Sequence, residues 1–249
     1  MRHSWPAMPA RAVSAGLAVA LLLIFSLSAC GGGGDGATLG PGPSTYNIAA
    51  GVSGLATHGM KANLIVSGSV TVGAVAVPLS GTGTYSLAAA VTGTFNGAAA
   101  LAQVGSINAT VIAGGASSSY LRSVTDYYDP GTFALLGEAS TGEYDVAQAP
   151  ITFATMVAPG SSGTLGTLSR YNDETLGVVL GTAQLSYVLT APATAGAPAT
   201  VEFTQKFYDT HQAVTATEVR DYSLTATNTM LLVSSTIQKG PDTLTVTVK

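Results

Sequence analysis

The amino-acid sequence predicts an all-β fold, an antiparallel meander of hairpins forming a curved sheet, a barrel or a sandwich. Three observations carry this expectation. Charged residues make up only 9% of the chain, too few to clothe exposed helix faces. Beyond residue 45 the composition is instead dominated by Thr, Ser, Gly, Ala and Val, and branched Thr and Val suit a pleated, half-wet surface. Apolar and polar residues also alternate with a period of two, and turn-forming clusters punctuate the alternation at short intervals, as antiparallel hairpins require.

Residues 1–29 precede that domain. A basic start with Arg2, His3 and Arg11 leads through the apolar run from Ala15 to Phe25 into Ser26-Leu27-Ser28-Ala29-Cys30, the order of an export signal. The run is shorter than the ~20 apolar residues that span a bilayer and ends in Gly31-Gly32-Gly33-Gly34 with no basic flank, which speaks against a transmembrane helix. The closing Leu27-Ser28-Ala29-Cys30 resembles the lipobox of bacterial lipoproteins. That resemblance implies cleavage between Ala29 and Cys30, diacylglycerylation of the Cys30 thiol and acylation of the new amino group. Because one acyl chain binds membrane marginally and two or more hold firmly, such a chain is expected to stay on a membrane through lipid on Cys30. Sorting in the family retains lipoproteins in the inner membrane when Asp follows the cysteine; Gly31 here implies the outer membrane, on its periplasmic or its cell-surface side.

Residues 30–45 are dominated by Gly and Pro without apolar periodicity and read as a flexible tether, which at 5–6 Å times the square root of its length spans roughly 20 Å. Cys30 is the sole cysteine, so the domain must rest on core burial alone, and a chain of this size can supply it. Without Arg2 and Arg11, seven basic side chains face thirteen acidic ones, net −6, which excludes nucleic-acid binding by charge.

Residues 46–249 are expected to form one antiparallel β domain. In Thr243-Leu-Thr-Val-Thr-Val248, the residues Leu244, Val246 and Val248 point one way and the threonines the other. Asn63–Val72, Gly81–Ala88 and Ser106–Ile112 alternate similarly. Residues 98–104, rich in Ala, fit a short helix or a strand end. Asp129-Pro-Gly131, Pro159–Gly163 and Lys239–Asp242 are turns. A loose repeat runs through the second half: Asp129 with Tyr144, Asp173 with Tyr187, and Asp209 with Tyr222, each read as one hairpin whose Asp bonds turn amides and whose Tyr lies on the returning strand. The short Gly81-Thr-Gly-Thr-Tyr85 and Thr92-Gly-Thr-Phe-Asn-Gly97 segments are similar to barrel repeats of surface lipoproteins of the transferrin-binding type.

The catalytic inventory is thin. There is no Gly-x-Ser-x-Gly turn to present a nucleophile and no phosphate-binding glycine loop between a strand and a helix. His58 is expected in a loop. Asp209 and His211 share a strand face, which makes a two-ligand metal site conceivable beside Glu218 and Asp221, but an isolated Asp-x-His reads first as a hairpin tip. Asn172-Asp173-Glu174 and the pair Asp126 and Asp129 lack calcium-loop spacing and read as turn acids. Glu138 and Glu143, odd-spaced, are expected on opposite faces of a strand, which sets aside a carboxylate pair for glycoside cleavage. The aromatics Tyr85, Tyr120, Tyr127, Tyr128, Tyr144, Tyr171, Tyr187, Phe203, Phe207, Tyr208 and Tyr222 read as cross-strand packing pairs before they read as a ligand groove. No cofactor and no metal are expected.

These observations point to a lipid-anchored, non-enzymatic envelope lipoprotein, structural or macromolecule-binding. The alternative is a carrier of an apolar small molecule or lipid in a barrel or half-barrel cavity. Its lipocalin form is disfavoured because the only tryptophan, Trp5, lies in the signal. A cavity of several hundred Å³ lined by apolar side chains distinguishes the carrier from a filled sandwich.

Overall fold

The structure is a computed structural model that describes residue 43 and residues 45–194 and 196–249. Cys30, Ala29, the leader and nearly all of the tether lie outside the described residues.

The domain opens with a helix that the sequence reading did not anticipate, α1 (Ile48–His58). Asn47 caps it, its Oδ1 accepting the Ala50 N–H at 2.9 Å, as short polar side chains do at helix starts. Ile48, Val52, Leu55 and Ala56 recur at helical spacing and are buried. At the other end Gly59 takes a left-handed φ of 65° and donates to the Leu55 carbonyl, the glycine stop that side chains disfavour. His58 is therefore the last helical residue rather than a loop residue, its Nδ1 donating to the Gly54 carbonyl at 2.8 Å.

Thirteen strands follow: β1 (Met60–Val72), β2 (Val75–Leu87), β3 (Val91–Phe95), β4 (Ala98–Ala113), β5 (Ala116–Tyr128), β6 (Leu135–Ser140), β7 (Glu143–Ile151), β8 (Ser162–Tyr171), β9 (Val179–Thr190), β10 (Ala199–Tyr208), β11 (Val214–Leu224), β12 (Met230–Lys239) and β13 (Asp242–Val248). All pairings are antiparallel, so the meander expected from the alternation is what forms. Of the three shapes left open, the barrel is adopted. β1 pairs with β13 through Leu64–Ser69, and β2 pairs with β4 through Leu79–Leu87 against Gly105–Ala113, which closes twelve strands into a ring. Residues 98–104 belong to strand β4, not to a helix.

The thirteenth strand, β3, continues past the end of β2 along β4 and lays Phe95 on the outside of the barrel. Gly137 opposes Tyr127 on the face away from the interior, and a Cβ at Gly137 would collide with the Phe95 ring. That bare backbone lets Phe95 stack between Tyr127 at 4.6 Å and Tyr144 at 5.1 Å, in offset geometry that favours aromatic pairs.

Helix α1 closes one end of the ring. Its apolar side joins a buried cluster with Leu168, Leu189, Val201, Leu224 and Met230 from the strands. Gln103, itself 2% exposed, ties helix to barrel by donating to the carbonyls of Leu55 at 3.0 Å and Ala88 at 2.9 Å. A Gln103→Leu variant loses both bonds, leaving the Leu55 carbonyl only its bond from Gly59, and is expected to lower stability by about 1–3 kcal/mol, measured by urea unfolding.

The outward faces are largely hydroxyl and amide. They carry Thr243, Thr245 and Thr247 on β13, Ser117, Ser119 and Ser123 on β5, Asn108 and Thr110 on β4, and Thr182, Gln184 and Ser186 on β9, each alternating with inward residues. Outward Ile65, Val104, Ile112, Leu121, Val188 and Leu231 are interspersed among them, opposite Thr82, Thr125, Ser80, Asn108, Glu202 and Ser223 across the strands.

Candidate binding site inside the barrel

Residues directly opposite on antiparallel strands point to the same face, and this rule brings a belt of eight charged side chains inside. On β5 the inward set alternates Tyr120, Arg122, Val124, Asp126 and Tyr128; on β11 it is Glu218, Arg220, Tyr222 and Leu224. Register then aligns Asp126 with Glu138, Glu138 with Asp145, and Asp145 with Arg170, one row across β5 to β8. The expectation that Glu138 and Glu143 face opposite ways is overturned. A turn separates them, Glu143 stands two residues before Asp145 on β7, and Glu143, like Glu138, lies on the inward face.

Two networks hold the row. Glu218, 2% exposed, accepts a fork from Arg122 (Nη1 at 3.0 Å, Nη2 at 2.8 Å) and the Nε of Arg220 at 2.7 Å, with Ser235 Oγ donating at 3.3 Å. Burial opposes its ionisation, but the Arg122 and Arg220 guanidiniums outweigh burial and hold its carboxyl well below the usual range. On the other wall Arg170 pairs with Glu143, stands 3.9 Å from Asp145 and lies over the Phe207 ring at 4.8 Å. Among the described residues, every arginine of the chain lies in this belt.

Five carboxyls share these three guanidiniums. Glu138 accepts from Gln205 Nε2 at 3.1 Å. Asp126 has only a long bond from Tyr128 Oη at 3.5 Å, and its Oδ1 has no partner. Burial, reinforced by Glu138, pushes Asp126 up to about 7. Burial and the neighbouring Glu143 and Glu138 push Asp145 up to about 9, because Arg170 is committed to Glu143. Buried Tyr222 is raised by burial to about 12.

Between the belt and α1 lies a cavity of about 110 Å³. Its floor is apolar, with Val52, Leu55, Leu185, Phe203 and Leu232; its opposite wall carries Tyr85, Arg122, Asp126, Glu138, Glu218 and Arg220. Arg122 and Arg220 keep 24% of their side-chain surface exposed, although protein surrounds them almost completely; both line the cavity, and that surface faces it. The closed barrel thus has neither the filled interior of a sandwich nor a wide apolar chamber.

The residues singled out from sequence divide accordingly. Asp129, Asp173 and Asp209 accept turn amides, from Gly131 and Thr132, from Thr175, and from His211 and Ala213. All three carboxyls are held below the usual range, Asp129 and Asp173 first by the hydroxyls of Thr132 and Thr175 and then by those amides, Asp209 by its amides. His211 is thus the polar tip of a hairpin. Glu218 is instead locked in the interior network, and Asp221 accepts from Ser234. Tyr187 and Tyr222 do lie on returning strands, but Tyr144 lies on β7, one strand beyond the β6 that returns from Asp129. Asp126 is inside and Asp129 in the turn beyond β5, so they form no common site. Of the aromatics, Tyr85, Tyr128, Phe203 and Tyr222 line the cavity, whereas Tyr127 and Tyr144 pack outside. Among the described residues no group of three or more His, Cys, Asp or Glu is placed to hold a metal.

Sequence reading missed Arg122, Asp145, Arg170, Gln205 and Arg220. The signal was parity: Glu218, Arg220 and Tyr222 share the phase of buried Leu224, so they had to point inward with it.

No family model matches the chain, and no curated protein matches it. Among solved structures it is similar to a porin-like protein from Bacteroides uniformis, at 8% identity and a TM-score of 0.22, over 76% of this chain and 95% of that one.

Proposed function

We propose that this chain is a lipid-anchored, non-enzymatic envelope protein at the bacterial outer membrane, a water-facing barrel that serves as a binding module. The observation that carries this reading is the outward face. A barrel that spans lipid presents an apolar band about 25 Å tall, whereas these strands turn mainly Thr, Ser, Asn and Gln outward, with single Ile, Leu and Val residues among them, and keep the charged belt inside. Such a surface is at home in water, so membrane residence needs a separate device, and lipid on Cys30 with the Gly/Pro tether supplies one. The interior favours a small ligand over a lipid: about 110 Å³ falls below the 300–1,000 Å³ of ordinary drug-sized sites.

In the native host, a Cys30→Ala variant is expected to lose labelling by radioactive palmitate and to leave the membrane fraction. Retention of both by the variant overturns the anchored reading.

A further inference from the structure

We propose that the barrel interior binds a small primary amine bearing a short apolar group, with Asp126 and Glu138 receiving the ammonium and the floor beneath α1 receiving the tail. The inference deepens the binding-module part of the reading above and is independent of the anchor.

The geometry is that of a built half-site. Asp126 and Glu138 are directly opposed on β5 and β6, both line the cavity, and Asp126 Oδ1 is buried without a partner. A buried acceptor left unpaired is costly, and an ammonium brings three donors and the charge that two adjacent carboxyls lack. The two guanidiniums on the same wall do not fill that role: Arg122 gives both Nη groups and Arg220 its Nε to Glu218, and neither bonds Asp126 Oδ1. Glu218 already offsets one of the wall's two positive charges. A carboxylate ligand adds negative charge beside Asp126 and Glu138, whereas an ammonium brings the opposite charge to both. The other groups facing Asp126 are the hydroxyls of Tyr85, Tyr128 and Tyr222, which stay neutral and accept further N–H bonds.

Volume and lining set the tail. About 110 Å³ is near the ~150 Å³ of an engineered apolar cavity that admits benzene. Phe153 and Phe203 meet edge to face at 5.8 Å beside Leu55, Leu185 and Leu232, a floor suited to one ring or a short alkyl group.

The test uses full-length protein in phosphatidylcholine nanodiscs, with empty nanodiscs as blank, titrated calorimetrically with benzylamine, benzyl alcohol and benzoate. These probes share the ring and differ in the head. Benzylamine is expected to bind about tenfold or more tighter than benzyl alcohol, because charge-assisted hydrogen bonds are roughly twice as strong as neutral ones; benzoate is expected to bind weakest. Asp126→Asn is expected to abolish the amine's advantage while retaining alcohol binding. Should that variant fail to fold by circular dichroism, the carboxyl carbon-13 resonance of Asp126 in the wild type decides: benzylamine is expected to move it to its ionised position. Equal affinity for amine and alcohol, a preference for benzoate, no binding of any probe, or an unmoved Asp126 resonance overturns the proposal. None of these outcomes bears on palmitate labelling at Cys30, which tests the anchor separately.

Discussion

Glu218→Gln is expected to destabilise the barrel by about 3 kcal/mol in urea unfolding. The side chain keeps its shape but loses the charge that two enclosed guanidiniums share, and removing one partner from a buried ion pair costs roughly 3–5 kcal/mol because the remaining charge is stranded. The lower figure applies because Arg122 and Arg220 keep part of their surface on the cavity. A triple variant, Arg122→Met, Glu218→Leu and Arg220→Met, is expected to recover most of that loss, since apolar replacement of a whole buried triad is often neutral or stabilising. A loss below about 1 kcal/mol in Glu218→Gln would mean that enclosed water screens the guanidiniums as well as the carboxylate does.

Stability is expected to fall as pH rises from 5 to 8, against the usual acid-denaturation trend. The sign follows from two carboxyls whose folded-state values lie above the ordinary range: Asp126 at about 7 and Asp145 at about 9. The unfolded chain ionises both near pH 4, while the fold retains their protons. Their favourable contribution is therefore complete below pH 4 and is lost as pH climbs through 7 for Asp126 and through 9 for Asp145. Each group can contribute a slope of at most about 1.4 kcal/mol per pH unit, which bounds the loss between pH 5 and 8 at about 7 kcal/mol, and a loss of at least about 2 kcal/mol is expected. Glu218 does not offset this, because its lowered value confines its effect to pH below about 4. Asp145→Asn, which mimics the protonated form, should raise stability at pH 8 and flatten the profile. A flat wild-type profile between pH 5 and 8 contradicts the assignment of buried protons.

How far the sequence could be read depended on the range of the forces involved. Strand identity is local: the alternation of Leu244, Val246 and Val248 with threonines reports one buried and one wet face without reference to any partner, and β13 forms where it is expected. Turn chemistry is equally local, and Asp173 and Asp209 bond their own turn amides as anticipated. Helix α1 escaped notice because Gly51 and Gly54 dilute its periodicity; Asn47 as cap and the apolar spacing of Ile48, Val52, Leu55 and Ala56 were the available clues. The site was less legible still. Parity on one strand tells that Glu218 and Arg220 face inward with Leu224, but not which groups they meet across the interior.

Composition and period alone determined the strand class, the antiparallel meander and the hydroxyl-clad outer face, because each depends on which side of a single strand meets water. The expectation of lipid on Cys30 likewise rests on sequence alone. Only the tertiary structure decided that the sheet closes, since closure requires β2 to pair with β4 and β1 with β13, contacts set by register and curvature rather than by neighbours along the chain. It also decided that Asp126, Glu138, Asp145 and Arg170 share one interior row. A cross-strand register places side chains from separate strands on a common face, and no spacing within any one of those strands encodes it.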